Sequence, residues 1–435
     1  MKQELTAKLK LTTTPEQFAL LRQTQLAYRD ALNFVSAYSF AHGKTSNSIR
    51  LQKETYTELR RQFCLPAQMA CNVPRQVGAT YKGLWTKWRK NQEARAKGYT
   101  KKRFKGLDKV PRYDAPTVYY NHQRDYSFKT EGRVSILTLQ RRLILPYQGY
   151  RNHVALIHEG ATIGGAKLWY DQAKKRFYLL VSLSVEVPDP TPARATQVVG
   201  IDVGNRYLAA VTTSTNHSQF YSGRKVRQQA DHVARLQKRL RQKGTRSATR
   251  KRILLSRRER RLKLNTNHTI SKHIIDSHPL AFIGLEDLAG IRERTKRKKG
   301  KKASKKQRRK NRHASHWAFA ELHSFLTYKA ALGSSLCIKV DADYTSQMCP
   351  RCGFTSPKNR PEKGLLFVCQ HCLFVLHADL VGARNISLRT LLIRQDWMRT
   401  GVLSVRPDVS DREAKVARLS RYAELRWSLD TSPSL

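Results

Sequence analysis

The spacing of apolar residues changes character several times along the chain. Residues 4–11 alternate apolar and polar side chains, which predicts an opening strand. Thr14-Pro15-Glu16 reads as a helix start, with Thr14 as N-cap and Pro15 in the first helical position. From there to about Lys102, apolar residues recur at three- and four-residue intervals (Phe18, Leu21, Leu32, Val35 and Tyr38, then Val77, Tyr81 and Trp85). That period predicts helices whose aromatics pack in a core. Lys82, Lys87, Arg89, Lys90, Arg95 and Lys97 give the last helix a basic face.

Residues 105–190 switch to short strand-like runs at 134–139, 142–146, 161–163, 166–170 and 177–183, parted by turns with Gly, Asn and Asp. Such spacing predicts a small β-barrel. Val187-Pro-Asp-Pro-Thr-Pro192 is a Pro-rich linker and the clearest boundary. Beyond it, Gln197-Val-Val-Gly-Ile-Asp-Val-Gly204 is an apolar strand interrupted by one acid, followed by a second strand at 207–213. Residues 225–276 read as a long basic helical hairpin, with a seam of Val226, Val233, Leu236 and Leu240 and a break at Gly244. A buried-type strand at 280–286 ends on Glu286. Residues 292–312 are nearly all Lys and Arg and cannot fold alone. A helix at 316–331 and a strand at 335–340 follow, and past Leu392 the periodicity fades, which predicts a weakly ordered tail.

Charge narrows the function. The 435 residues hold 83 Lys+Arg against 32 Asp+Glu, a net charge of +51, which points to a polyanionic partner. A hydrophobic content of 40% argues for folded domains rather than a cationic tail. No apolar run reaches membrane-spanning length, and the first residues lack a signal-like apolar core. The expectation is a cytoplasmic protein with no membrane partner. Of seven cysteines, Cys64, Cys71 and Cys337 read as packing residues in a reducing compartment.

The other four carry chemistry. Cys349 and Cys352 form one C-x2-C pair, Cys369 and Cys372 a second, and the sixteen residues between the pairs match a zinc ribbon. Three acids sit where an acid is locally out of place: Asp202 within an apolar strand, Glu286 at the end of another, and Asp379 at the start of an apolar-faced helix. Isolated buried carboxylates are costly unless a cation or hydrogen bonds compensate. Converging, the three would form an oxygen-rich site for Mg²⁺, with two ions able to serve phosphodiester cleavage. Taken singly, each acid has a plainer explanation: Asp202 bonding its own turn, Glu286 facing a helix dipole, Asp379 capping a helix.

Gly200-Ile-Asp-Val-Gly204, Gly284-Leu-Glu-Asp-Leu288, Tyr344-Thr-Ser-Gln-Met-Cys-Pro-Arg-Cys-Gly353 and Ala378-Asp-Leu-Val-Gly-Ala-Arg-Asn-Ile386 resemble the motif series of the TnpB family. These are transposon-encoded RNA-guided DNA endonucleases related to the small type V CRISPR effectors. The resemblance covers roughly residues 1–390. It implies a multidomain α/β protein with an RNase H-like (RuvC) nuclease core and an inserted zinc ribbon, plus an N-terminal helical domain and a small β-barrel. Asp202, Glu286 and Asp379 would be the catalytic, Mg-binding acids, and Cys349, Cys352, Cys369 and Cys372 the structural zinc ligands. The implied boundaries are 1–12 for the first strand of a wedge barrel, 13–104 for a helical recognition domain and 105–190 for the rest of the barrel. The nuclease core with its hairpin would span 191–342, the ribbon 343–376, the final motif helix 377–392 and the tail 393–435.

The implied partners are a structured guide RNA derived from the transposon end and target double-stranded DNA, cut beside a short adjacent motif. Residues 292–312 read as a mobile phosphate-contacting segment or a plain surface loop. Tyr344-Thr345-Ser346 read as hydroxyls for a phosphate or as the turn into the first zinc knuckle. Leu373 stands where the family often has Gly, Val381 where it often has Asn, and His377-Ala378 where Asp-Arg is frequent. The alternatives are an RNA-guided DNA-binding repressor or small CRISPR effector with weak or no cleavage, an RNase H-fold transposase, and a cationic RNA-binding protein.

Overall fold

The structure is a computed structural model that describes residues 2–115, 117–172, 174–189, 191–193, 195, 197–288, 318–361, 364–408 and 411–427. The Lys/Arg-rich segment at 292–312 lies outside the described residues. The chain divides into two compact units, Lys2–Glu186 and Val187–Leu435.

The first unit opens with strand β1 (Lys2–Leu11), followed by helices α1 (Pro15–Ala41), α2 (Ser48–Gln62) and α3 (Ala67–Ala96). Thr14 and Gln17 form a reciprocal capping box at the start of α1, satisfying backbone donors that the first helical turn leaves free. Strands β2 (Val118–Tyr120), β3 (Tyr126–Lys129), β4 (Arg133–Leu137) and β5 (Arg142–Gln148) come next, then helix α4 (Arg151–His158) and strands β6 (Thr162–Asp171) and β7 (Arg176–Glu186). All pair antiparallel in the order β2-β6-β7-β1-β5-β4-β3. The sheet curls on itself, since the Tyr126 hydroxyl of β3 donates to the Gly164 carbonyl of β6 at 2.6 Å. One apolar core joins the sheet to α1, α2 and α3. Helix α4 departs from the reading of 105–190 as strands and turns alone: its eight residues bury one side chain, Ile157, a pattern too sparse to stand out in the sequence.

The second unit is built on strands β8 (Gln197–Asp202), β9 (Tyr207–Thr213), β10 (Ser218–Ser222), β11 (Ala281–Glu286) and β12 (Leu336–Val340), ordered β10-β9-β8-β11-β12. The first three are antiparallel, whereas β8, β11 and β12 run parallel. Helices α5 (Arg224–Lys243) and α6 (Arg246–Ser277) form the basic hairpin, broken at Gly244 with φ +66° and restarted by the Thr245 cap. Strand period two splits the sheet cleanly. Val199, Ile201, Ile283 and Leu285 pack with Ile270, Ile274, Leu322 and Leu326 of α6 and α7 (Phe319–Leu332). Val198, Phe282 and Ile338 pack with Ile386 and Trp397 of α8 (Ala378–Thr400). Strands β13 (Leu366–Val368) and β14 (Val375–His377) form the ribbon hairpin.

The C-terminal expectation needs correcting. Helix α8 runs to Thr400 rather than ending near 392, and a further helix, α9 (Arg412–Glu424), follows. Residues 380–390 of α8 are buried on every side, so their sequence shows no polar stripe to read. Helix α9 buries Tyr422 alone and is held by charged pairs such as Arg421 with Asp396, which carry no apolar period. Among the described residues, no helix is long and apolar enough to cross a membrane.

Candidate active site and metal centre

The four cysteines converge. The Sγ atoms of Cys349, Cys352, Cys369 and Cys372 all lie within 4.8 Å of one another. Each pair sits on the same knuckle: the Gly353 amide donates to the Cys349 carbonyl at 2.9 Å, and the Leu373 amide to the Cys369 carbonyl at 3.1 Å. Both knuckles put the residue after the second cysteine in left-handed backbone, Gly353 at φ +78° and Leu373 at φ +56°. Burial opposes ionisation of the Cys369 thiol, but the Cys372 and His371 amides aimed at its sulfur bring it down to about 7. Four soft, compactly held donors fit a tetrahedral thiophilic ion such as zinc. Phe367, Ala378 and Val381 close an apolar shell against Cys349 and Cys369, so Val381 packs onto the ribbon.

The acids are brought together by strand register. In the parallel pair β8/β11, Val198 lies beside Phe282 and Gly200 beside Gly284. Period two puts Asp202 and Glu286 on the same face as these glycines, the face covered by α8. The glycines let that helix come close: a Cβ at Gly200 would strike the Ala383 carbonyl and Ser387 amide, and one at Gly284 would strike the Thr390 hydroxyl. At the N-terminal end of α8, a Cβ on Gly382 would lie 3.0 Å from Asp202 Oδ2. Asp379 occupies the first turn there, its amide donating to Nδ1 of His377 at 3.2 Å.

The electrostatics follow from this convergence. Burial, then the charges of Glu286 and Asp379, raise Asp202 well above the usual carboxylate range, and Arg360 partly offsets the rise. Burial raises Glu286 too, while the Thr345 hydroxyl, donating at 2.5 Å, and the Arg389 guanidinium pull the other way. Such mutual repulsion is the signature of a site suited to a cation. The carboxylates are more loosely grouped than the sulfurs: among the described residues, the cysteine quartet is the one set of three or more ligand-type side chains with all donor atoms within 4.8 Å.

Several neighbours have roles that the sequence reading did not give them. Thr345 spends its hydroxyl on Glu286, so the Tyr344-Thr345-Ser346 turn is tied to an acid. Asn385 of α8 clasps that turn by donating to the Thr345 carbonyl at 2.7 Å and the Met348 carbonyl at 2.8 Å. Arg360 of the ribbon loop contributes a favourable field at Asp202, and Arg389 is 1% exposed. Their arginine identities were no signal among 83 Lys+Arg. Asn385 and Thr345 lie inside the motifs at 378–386 and 344–353, but nothing in the sequence tied either one to an acid.

Comparison with known proteins adds independent support. Residues 182–290 match the OrfB_IS605 probable transposase family, and residues 319–386 match the Cas12f1-like TNB domain. The chain is 31% identical over 126 residues to the CRISPR-associated endodeoxyribonuclease Cas12f1 of Sulfoacidibacillus thermotolerans, covering 28% of this chain and 26% of that protein. It is 28% identical over 260 residues to InsQ of Escherichia coli (strain K12), named as a candidate RNA-guided DNA endonuclease, covering 56% of this chain and 61% of InsQ. The chain thus spans less than two thirds of either curated relative it matches. Its fold is shared with a Cas12f1–sgRNA–target DNA complex, at TM-score 0.56 and 14% identity over 86% of this chain and 83% of that one. It is likewise shared with the mini-RNA-guided endonuclease CRISPR-Cas_phi3, at TM-score 0.54 and 11% identity over 90% and 92%. A transposase-type match on the first acid-bearing strands, a TNB match on the ribbon, and relatives of both kinds together bear out the kinship with the TnpB family that the motifs carried.

Proposed function

We propose that this protein is an RNA-guided DNA endonuclease of a transposable element, cutting target DNA beside a short adjacent motif. The observation that carries the reading is the in-register pair Gly200-x-Asp202 and Gly284-x-Glu286, overlain by the helix that bears Asp379. Three antiparallel strands followed by two parallel ones, with a helix across the acidic face, support an RNase H-like, RuvC-type core. In this reading Asp202, Glu286 and Asp379 hold magnesium, two ions in all, while the cysteine quartet holds zinc as a structural ion. When bound, the catalytic metal lowers the pKa of a water and neutralises charge on the scissile phosphate.

The chain's own residues do the rest. Thr345 fixes the rotamer of Glu286 by its hydroxyl, and Asn385 fixes Thr345. Arg360 supplies a permanent positive charge whose field favours the ionised Asp202. The curled sheet with α1, α2 and α3 serves as wedge barrel and recognition helices for guide RNA and heteroduplex. The basic α5–α6 hairpin supplies phosphate contacts to a displaced strand.

The deciding experiment is to purify the protein with its native RNA, sequence that RNA, and offer a matching plasmid with Mg²⁺. The expected result is cutting by the wild type, with binding kept and cutting lost in Asp202→Ala. Wild-type binding without any nick would establish a guided binder instead. Absence of a bound small RNA would refute guidance and favour a transposase.

A further inference from the structure

Past the third acid, the chain carries a helix that none of the motifs requires, yet it is wired into the acidic site. Tyr422 of α9 lays its ring over the buried Arg389 guanidinium, 4.5 Å from ring centroid to Cζ, and its hydroxyl donates to Asp341 Oδ2 at 3.2 Å. Arg418, one turn earlier, donates to both oxygens of the same buried carboxylate, at 2.9 and 3.3 Å. Arg389 in turn donates to the Asp341 carbonyl and, at 2.8 Å, to the Asp343 carbonyl. Lys415 pairs with Asp343 at 2.9 Å. These contacts grip the segment 341–343 from both sides, just where β12 hands over to the turn that carries Thr345.

A fully buried guanidinium is expensive, so its surroundings must repay the lost hydration. Arg389 meets that cost with two carbonyls, an aromatic face and the field of the nearby carboxylates, Glu286 among them. Its own stabilising effect on the Glu286 charge is the reciprocal of that field.

We infer that α9 is a positioning element of the metal site: Tyr422 and Arg418 fix Arg389 and the 341–343 segment, and that segment leads straight into Thr345, whose hydroxyl holds Glu286. The inference rests on the proposed nuclease site and extends it to residues beyond the motifs. Helix α9 touches no reacting atom, and it acts through Arg389 and the backbone leading to Thr345. Removing it loosens the cation site before it affects guide or target binding.

The test uses Mn²⁺ binding by the full-length chain, read by electron paramagnetic resonance of free Mn²⁺, with Asp202→Ala defining binding outside the site. Tyr422→Leu removes the ring and is expected to weaken the Asp202-dependent Mn²⁺ affinity about 10-fold, the range seen when an outer partner of a metal ligand is lost. Tyr422→Phe keeps the ring and should restore most of it. Trp397→Leu, chosen for an equal loss of melting temperature, should leave that affinity unchanged, because Trp397 packs on Phe282 away from Arg389. If Tyr422→Leu folds poorly, Arg389→Lys is read instead, with the same expected weakening. Wild-type affinity in Tyr422→Leu or Arg389→Lys, or equal weakening in Trp397→Leu, overturns the inference while leaving the nuclease reading intact. Equal Mn²⁺ binding by wild type and Asp202→Ala overturns the metal-site reading itself.

Discussion

At the scale of single residues, two positions carry strain of opposite purpose. Leu373 holds a left-handed backbone in the second zinc knuckle, where a Cβ costs about 1–2 kcal/mol, and its side chain is 74% exposed. Leu373→Gly should therefore stabilise the ribbon by about 1 kcal/mol, seen as slower zinc loss to a chelator and an unchanged cutting rate. Asp202 is strained electrostatically. Its folded form binds a proton more tightly than the unfolded chain does, because burial, Glu286 and Asp379 all oppose its charge. The contribution of Asp202 to metal-free stability is thus fully present below the unfolded carboxylate value near about pH 4 and is lost as pH rises toward its raised folded value. Asp202→Asn should flatten that decline and raise the metal-free melting temperature at neutral pH while abolishing cutting. A melting temperature below wild type at pH 7 would contradict this account. Both acids and cysteines were legible because their oddity is local: a carboxylate inside Val-Val-Gly-Ile, or thiols two residues apart, needs no third dimension to be noticed.

At the scale of elements, what matters is how closely α8 sits on β8 and β11. Gly284→Ala would drive a methyl into Thr390, so it should cost about 1–3 kcal/mol as overpacking, and the damage should centre on α8. Hydrogen exchange along α8 should rise in this variant while the Lys2–Glu186 unit stays protected. The ribbon is the second lever. Val381 packs α8 against Cys349 and Cys369, and Arg360 of the ribbon loop adds a favourable field at Asp202. Removing zinc should consequently abolish cutting while the guide RNA remains bound, measured as lost nicking with a retained RNA shift; persistent nicking after complete zinc removal would separate the two centres. Most of the longer strands were readable from apolar period and the two knuckles from cysteine spacing, whereas the short strands β2, β3, β10, β13 and β14 were not read. Helices α4 and α9 were not, since one buries a single residue and the other docks through Arg418, Arg421 and Tyr422 rather than an apolar stripe.

At the scale of the whole molecule, a net charge of +51 dominates association. Nucleic-acid binding should weaken steeply and linearly in log affinity against log salt, as released counterions require. The slope should be nearly the same for Asp202→Asn and wild type, which separates phosphate contact from chemistry. By itself, the sequence determined the chemistry available: four thiolates at ribbon spacing, three displaced acids, a surplus of cations and the order in which they occur. Those are properties of neighbours along the chain. The tertiary structure alone decided that Gly200 and Gly284 stand side by side under one helix, that Thr345 bonds Glu286, and that a C-terminal helix stacks on Arg389. Each of those contacts joins segments tens of residues apart, through strand register and buried charge pairing, and neither leaves a period in the sequence.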